Sequence, residues 1–294
     1  MRIILYLLTN VAILAVVSLV FNVLGIGGIL DRQGVNLDLN SLLLMSAVIG
    51  MTGSLISLVM SKTMAKNAMG VQIIDQPANA SERWILETVQ RQAQKAGIGM
   101  PEVGIFDSPD PNAFATGMSK DSALVAVSTG LLRNMSSDEV EAVIGHEMTH
   151  VSNGDMVTLA LIQGVVNTFV YFLASIIGYV VDRAIFKTER GVGPGYYVTQ
   201  IIAQLCLSFL ATAIVMWFSR KREFRADAGG AHLAGRQKMI GALRALQRAH
   251  EPQDLPGEFA AFGIRSGFGE GLQKLFMSHP PLEERIAALE QMRR

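Results

Sequence analysis

Long apolar stretches without a single charged side chain dominate the pattern of this 294-residue chain. There are four of them, each between 23 and 29 residues long. About 20 apolar residues of helix cross the hydrocarbon core of a bilayer, whereas buried helices of soluble proteins have apolar runs of roughly 10–14 residues. We therefore predict four transmembrane helices. The stretches are Ile3–Leu30, Leu39–Ser61, Met156–Val181 and Gly191–Ser219, and within the last one we place the helix at about 199–219.

The four predicted helices form two membrane regions, which alternate along the chain with two polar regions. Both termini and both polar regions then lie on one side of the membrane, and two short loops lie on the other. Seven basic residues flank the helices on the side of the polar regions, against four on the loop side. Basic residues favour the cytoplasmic side, so we predict that the termini and the polar regions are cytoplasmic. The predicted division is membrane region 1–61, polar region 62–155, membrane region 156–219 and polar region 220–294.

Composition narrows the possible partners. Charged residues make up 17% of the chain, below the roughly 25% of an ordinary soluble domain. The formal net charge is zero, which excludes the strongly basic surface of a typical nucleic-acid-binding protein. We therefore expect a lipid bilayer as a partner, and no nucleic acid.

The first polar region mixes helical and strand patterns. Between Ser81 and Gly97, apolar and small residues recur at three- and four-residue steps, which predicts a helix. Short β-rich runs at Val103–Phe106 and Leu124–Val127 predict strands. The polar segment Asp107–Gly117 between them predicts a loop.

A second helix follows these strands. Ser136 with Glu139 three residues later forms a capping-box pattern, and Gly154 is a typical stop. The last polar region is mostly helical in pattern, with a glycine-rich loop near 263–271. The predicted fold is therefore a mostly α integral membrane protein, whose four transmembrane helices carry a cytoplasmic α+β domain with a small β-sheet.

The predicted helix that ends at Gly154 carries an H-E-x-x-H motif, in which His146 and His150 flank Glu147. Residues at i and i+4 share a helix face, with Cβ atoms about 5–6 Å apart, so two imidazoles can bind one zinc ion. The intervening glutamate can act on a metal-bound water without binding the metal. The motif predicts a zinc-dependent peptide hydrolase with one Zn²⁺ per chain. Two histidines that merely form hydrogen bonds on a polar helix are the alternative.

A catalytic zinc ion needs a third protein ligand. The metzincin pattern is excluded because Asn153 and Met156 stand where that pattern requires glycine and histidine. Glu223 and Asp227 share a helix face just after the fourth apolar stretch, so Glu223 could bind zinc while Asp227 orients a ligand histidine. Solvated carboxylates paired with basic neighbours are the alternative for both residues. The other candidates for the third ligand are His232, His250 and His279.

Several motifs along the whole chain resemble the HtpX family, the bacterial heat-shock-associated membrane zinc metalloproteases. This family is related to the prenyl-protein endopeptidases. The motifs that carry the resemblance are Met1–Ile3, Met60–Lys62, Asn112–Gly117, Val127–Leu132, His146–His150, Asn153–Met156, Ile162–Thr168, Met216–Arg220, Glu223–Asp227 and Ser278–Leu282.

The resemblance implies a gluzincin-type protease domain, in which Glu223 is the third zinc ligand and Asp227 supports the site. It also implies four membrane segments, an active site on the cytoplasmic face of a bacterial inner membrane, and a role in membrane-protein quality control. Misfolded or damaged proteins are the substrates that it implies. Substrate sequence and oligomeric partners stay open.

The predicted mechanism assigns a role to two further groups. Glu147 takes a proton from water and passes it to the leaving amine. His279, which precedes two prolines, is our candidate for stabilising the oxyanion, although a histidine placed before a helix that starts with proline is equally expected there.

We predict that substrate binds by β-augmentation. Leu124, Val125, Ala126 and Val127 are expected to form an edge strand that pairs with an extended peptide. Asn112, Ala113, Phe114 and Ala115 are expected to pair or clamp beside it. Ordinary sheet and loop is the alternative for each of these residues.

Two other functions compete with this interpretation. An intramembrane-cleaving zinc protease would embed the H-E-x-x-H motif in a transmembrane helix, but the residues from Ser136 to Glu141 are strongly polar. A zinc-binding membrane scaffold without hydrolytic activity would need the two histidines but not Glu147.

Overall fold

The computed structural model describes residues 38–189, 191–250 and 279–292, together with isolated positions between 11 and 28. The predicted membrane helix at 3–30 lies largely outside these residues, and the glycine-rich loop near 263–271 lies wholly outside them. The described residues are mostly helical, with one small mixed sheet. In chain order the elements are α1 (Leu39–Met69), β1 (Gln72–Ile73), α2 (Ala80–Ala96), β2 (Glu102–Phe106), β3 (Ala113–Thr116), β4 (Leu124–Ser128), α3 (Thr129–Asn134), α4 (Ser137–Asn153), α5 (Asp155–Ala184), α6 (Pro194–Ala234), α7 (Arg236–His250) and α8 (Leu282–Gln291).

Three of the described helices, α1, α5 and α6, are long and apolar enough to cross a membrane. They contain the predicted membrane helices at 39–61, 156–181 and 199–219. Both α1 and α6 continue past their apolar stretches into charged sequence, and α6 runs on as far as Ala234. Helices that could cross a membrane are therefore present at three of the four predicted places, and the first stays a prediction.

The chain divides into two compact units. The first consists of Met1–Ser57 and Ala160–Val215, and the second of Leu58–Leu159 and Met216–Arg294. The apolar stretches of α1, α5 and α6 lie mostly in the first unit. The sheet and the remaining helices, with the H-E-x-x-H motif, lie in the second.

Small residues bring α1 and α5 into close contact within the first unit. A Cβ atom built on Gly50 would lie 2.6 Å from the main-chain nitrogen of Thr168, and one built on Gly164 would lie 2.6 Å from Ser54 Oγ. Each helix thus presents a small-xxx-small pair to the other. This is the arrangement that lets helix backbones approach where lipid supplies no hydrophobic drive for association.

A buried carboxylate organises the connection between α5 and α6. Asp182 is 1% exposed and accepts hydrogen bonds from the main-chain N–H groups of Gly193 (2.9 Å) and Tyr196 (3.2 Å) and from the hydroxyl of Thr188 (3.1 Å). The N–H groups at the start of a helix have no partner within the helix, so Asp182 supplies one for the start of α6.

The core of the second unit forms where α2, α4 and α7 pack with the sheet. Completely buried side chains from these elements include Val89, Val125, Ile144 and Leu243. The apolar face of α2 contributes at the steps that the sequence predicts, and that helix ends at Gly97 in a left-handed conformation (φ 64°).

Both ends of α4 lie where the sequence predicts them. The Ser136 side chain accepts from the main-chain N–H of Glu139, and the Glu139 carboxylate accepts from the N–H of Ser136 at 2.8 Å. At the other end Gly154 has φ 66°, the left-handed conformation that favours glycine after a helix. The capping box and the stop are confirmed, so the H-E-x-x-H motif lies in the C-terminal half of a well-defined helix.

The sheet has the strand order β1-β2-β4-β3. Strand β4 pairs in parallel with β2 and antiparallel with β3. Two sequence predictions are therefore wrong. The segment at 107–117 is not all loop, because Ala113–Thr116 forms β3. The residues Leu124, Val125, Ala126 and Val127 do not form an edge strand, because β4 has a hydrogen-bonded partner on both sides and each of these residues is buried.

Candidate active site

The two histidines of the motif lie side by side on α4. Their Nε2 atoms are 3.1 Å apart and their ring centroids 4.7 Å apart. His146 and His150 are each 6% exposed. The four-residue spacing thus places two imidazole nitrogens at a single point inside the second unit.

Glu223 on α6 brings its carboxylate to the same point. Its Oε2 is 3.4 Å from Nε2 of His146, and its Oε1 is 3.3 Å from Nε2 of His150. Glu223 is 2% exposed and Asp227 is 1% exposed, so the alternative of two solvated carboxylates is wrong.

The donor set formed by His146, His150 and Glu223 fits a metal ion. One ligand atom from each residue lies within 4.8 Å of the others. Two imidazole nitrogens and one carboxylate oxygen are a known catalytic zinc set, in which the fourth position belongs to water. These residues would hold the metal cofactor of a metallopeptidase.

Asp227 contacts His146 at Nδ1, the ring nitrogen that does not face Glu223. Its Oδ1 is 2.9 Å from His146 Nδ1, so this nitrogen carries the proton and donates it. Arg285 on α8, 5% exposed, donates from Nε to Asp227 Oδ2 (2.7 Å) and from Nη2 to Asp227 Oδ1 (2.6 Å). Arg285 also places Nη1 3.5 Å from Glu223 Oε2. One buried cation thus pairs with two buried carboxylates. No sequence pattern pointed to Arg285.

Asp155 takes the corresponding position behind His150. Its Oδ2 lies 2.7 Å from His150 Nδ1, and the residue is 5% exposed. Arg222, 7% exposed, donates from Nη1 to the main-chain oxygen of Asp155 at 3.0 Å. Sequence reasoning did not assign Asp155 to the site, and for Arg222 it favoured contact with lipid head groups over a place at the site.

Burial and the neighbouring charges act against each other on the titrating groups of α4, and the pKa values of all three groups are raised. Burial lowers the pKa of His150, but the hydrogen bonds to Asp155 and Glu223 outweigh burial and raise the pKa to about 9. The same opposition raises the pKa of His146, with Asp227 as the main partner. Burial raises the pKa of Glu147, against the opposing effect of the two histidines. A raised carboxyl pKa suits a group that must both accept and release a proton.

His279 lies against the predicted metal ligand. Its Nδ1 is 2.7 Å from Glu223 Oε2, while 59% of its side chain is exposed. Because Nδ1 donates to that carboxylate, Nε2 can donate to an oxyanion only when both ring nitrogens carry a proton. The structure therefore adds a contact with Glu223 to the predicted role of His279.

His232, another candidate for the third ligand, is not placed at the site. The main-chain oxygen of His232 accepts from Lys95 Nζ at 2.5 Å. Within the described residues, only His146, His150 and Glu223 bring together a group of possible metal-binding atoms, and His232 is not among them. The side chain of His250 lies outside the described residues.

Glycines allow α4 and α6 to approach closely enough for these contacts. A Cβ atom on Gly229 would lie 2.2 Å from Thr149 Cγ2, and one on Gly230 would lie 3.0 Å from the main-chain nitrogen of His146. From the side of α4, a Cβ atom on Gly145 would lie 3.3 Å from Gly230 Cα. The helices therefore cross directly at the motif.

Comparison with known proteins agrees with this geometry. Residues 79–293 match Peptidase family M48. The chain is 64% identical over 293 residues to "Protease HtpX" of Thioalkalivibrio sulfidiphilus, covering 100% of this chain and 99% of that relative. It is 58% identical over 290 residues to "Protease HtpX" of Pseudomonas syringae pv. tomato, covering 98% of both.

A solved structure has a similar fold. The crystal structure of S. mikatae Ste24p superposes with a TM-score of 0.61 at 17% identity, over 98% of this chain and 67% of that one. The chain belongs to peptidase family M48, with the HtpX proteases as its relatives, and is a membrane-bound metallopeptidase.

Proposed function

We propose that this protein is a zinc-dependent endopeptidase that cleaves misfolded or damaged proteins, including membrane proteins, at the cytoplasmic face of a bacterial inner membrane. The observation that carries the proposal is the convergence of His146, His150 and Glu223, with Glu147 next to the first histidine on α4. The relatives named HtpX support proteolysis, and the three apolar helices support action at a membrane.

The residues divide the work between holding the metal and moving a proton. His146, His150 and Glu223 would hold the zinc ion, which when bound lowers the pKa of a water and polarises a carbonyl. Glu147 takes the proton of the attacking water and delivers it to the leaving amine. His279 donates to the oxyanion from Nε2 in its doubly protonated form.

Strand β3 is the better candidate for substrate binding. Ala113, Phe114 and Ala115 pair with β4 on one side, and within the described residues no strand pairs with the other side. An extended peptide would add to this edge through main-chain hydrogen bonds, with Asn112 at its beginning. Binding through the backbone suits an enzyme that acts on unfolded chains of varied sequence.

The competing functions are less well supported. The motif helix α4 is not among the candidate membrane helices of the described residues, which argues against cleavage within the bilayer. A scaffold without hydrolytic activity would need the two histidines but not the carboxylate of Glu147 beside them.

Replacement of Glu147 by Gln tests the proposal. The amide has nearly the same shape but cannot accept a proton, so we expect cleavage of an unfolded casein-like protein to fall by about 100-fold or more. Bound zinc, measured by elemental analysis, should stay near one ion per chain. A chelator should abolish the activity of the unmodified protein, and added zinc should restore it.

The control is Glu87→Gln, an exposed glutamate on α2 outside the site, which should keep full activity. Equal activity of the Glu147→Gln variant and the unmodified protein would contradict the catalytic role and favour the scaffold.

A further inference from the structure

Each histidine of the candidate metal site has its own carboxylate on the side away from Glu223. For His146 this is Asp227, the residue that the family resemblance already places in the site. For His150 it is Asp155, whose Oδ2 lies 2.7 Å from Nδ1. The two contacts are equivalent in kind, but Asp155 belongs to the Asn-Gly-Asp turn after α4 and not to the motif of Glu223.

The chain path explains how a residue five positions after His150 can reach back to it. Gly154 adopts a left-handed conformation (φ 66°) between α4 and α5, which turns the chain so that the first residue of α5 faces the last turn of α4. Asp155 and His150 are both buried, and such a pair is stable only with good hydrogen-bond geometry.

The main chain of Asp155 also has a hydrogen-bond partner. Arg222 donates to its carbonyl oxygen at 3.0 Å and to Ser219 Oγ at 3.2 Å. Arg222 directly precedes Glu223, so this contact links the start of α5 to the turn of α6 that carries the third predicted ligand.

We propose that Asp155 is a positioning residue that fixes the ring of His150 with Nε2 directed at the metal. This inference rests on the proposed function. A carboxylate that accepts from Nδ1 selects the tautomer with an unprotonated Nε2, prevents the ring from rotating, and makes Nε2 a stronger donor to a metal.

A simpler role for Asp155 predicts a different result. An acidic residue in the first turn of a helix stabilises that helix by interacting with its dipole. In that role the carboxylate would affect the stability of the fold, but it would leave the affinity for the metal and the ligand field of the metal unchanged.

The experiment compares three variants of the purified full-length protein in detergent. In Asp155→Ala the acceptor is lost, and in Asp155→Asn an oxygen acceptor of the same shape remains without its charge. The matched control is Asp182→Asn, which alters an equally buried aspartate at the opposite end of α5. The measurements are zinc affinity by competition with a chromogenic chelator, the visible spectrum of the Co²⁺-substituted protein, and thermal unfolding of the metal-free protein.

We expect Asp155→Ala to lower zinc affinity by about 10–100-fold and to change the Co²⁺ spectrum. Asp155→Asn should lose less zinc affinity, near the lower end of that range. It is the variant to interpret if the alanine variant does not fold. Asp182→Asn should bind zinc with unchanged affinity.

Unchanged zinc affinity and an unchanged Co²⁺ spectrum in both Asp155 variants would overturn the inference, as would an equal loss of affinity in Asp182→Asn. The unmodified protein separates this result from failure of the proposed function. If it binds no zinc, the proposed metal site itself is wrong, whereas normal binding in all variants removes only the role of Asp155.

Discussion

Arg285 shows how the charges of the site depend on one another. Asp227 and Glu223 are almost completely buried, and a buried carboxylate is stable only when it is paired or binds a metal. Arg285 contacts both of them from α8, and it is buried as well. Its removal takes away the one buried guanidinium among the described residues that contacts both carboxylates.

We therefore expect Arg285→Met to lower the free energy of unfolding of the metal-free protein by about 3–5 kcal/mol. Methionine retains much of the side-chain volume, so the loss reports the missing charge. Reversible chemical unfolding in detergent measures the difference.

The control for Arg285 is Arg244→Met. Arg244 on α7 forms a 3.0 Å ion pair with Glu290, and about half of each side chain is exposed. Water screens such a pair, so the expected change is below about 1 kcal/mol. Similar losses in both variants would show that burial of Arg285 does not determine its contribution.

At the scale of elements, the site depends on the distance between α4 and α6. The two histidines lie on one helix and Glu223 on the other, so any separation of the helices moves the predicted ligands apart. Gly145, Gly229 and Gly230 line this crossing. Thr149 is the neighbour of Gly229, and its hydroxyl is itself held by the carbonyl oxygen of Gly145 at 2.8 Å.

Gly229→Ala should therefore destabilise the protein and weaken metal binding. The added methyl group would overlap the β-branched side chain of Thr149, which cannot move far, and overpacking of this kind costs about 1–3 kcal/mol. Thermal unfolding and zinc affinity by chelator competition are the measurements.

Gly241→Ala on α7 is the matched substitution. Its Cβ atom would meet only Glu139 Cγ, at the ordinary distance of 3.8 Å. Alanine is the better helix former by about 1 kcal/mol, so stability should stay equal or rise. A destabilised Gly241→Ala variant with an unaffected Gly229→Ala variant would contradict the importance of the crossing.

At the scale of the whole molecule, the proposed membrane topology assigns α2 and the connection between α5 and α6 to opposite sides of the membrane. The exposed Gln90 on α2 should face the cytoplasm, and the exposed Glu189 between α5 and α6 should face the other side. The chain has one cysteine, Cys206, so a Cys206→Ala variant provides a cysteine-free background.

In that background, Gln90→Cys should react with a membrane-impermeant maleimide in inverted membrane vesicles but not in intact spheroplasts. Glu189→Cys should show the opposite pattern, because the proposed topology places the loop that carries it outside the cytoplasm. The parent Cys206→Ala protein controls for background labelling, and reversed labelling of the two positions would refute the cytoplasmic active site.

The local sequence pattern was sufficient to predict much of the structure of this protein. The three described helices that could cross a membrane follow from charge-free length, since a bilayer requires about 20 apolar residues. The ends of α4 follow from Ser136, Glu139 and Gly154, because caps act within one turn of their own helix. The spacing of His146 and His150 follows from the helical repeat alone.

Tertiary structure alone decided the order of the strands and the surroundings of the ligands. Strand β3 is only four residues long and lies in a segment rich in turn residues, so its pairing with β4 has no local signature. In the sequence, Asp155 has the pattern of a helix cap, and Arg222 and Arg285 have no pattern that places them at the site. Their roles arise from contacts between elements, and a side chain becomes buried and paired only when the elements that surround it have packed.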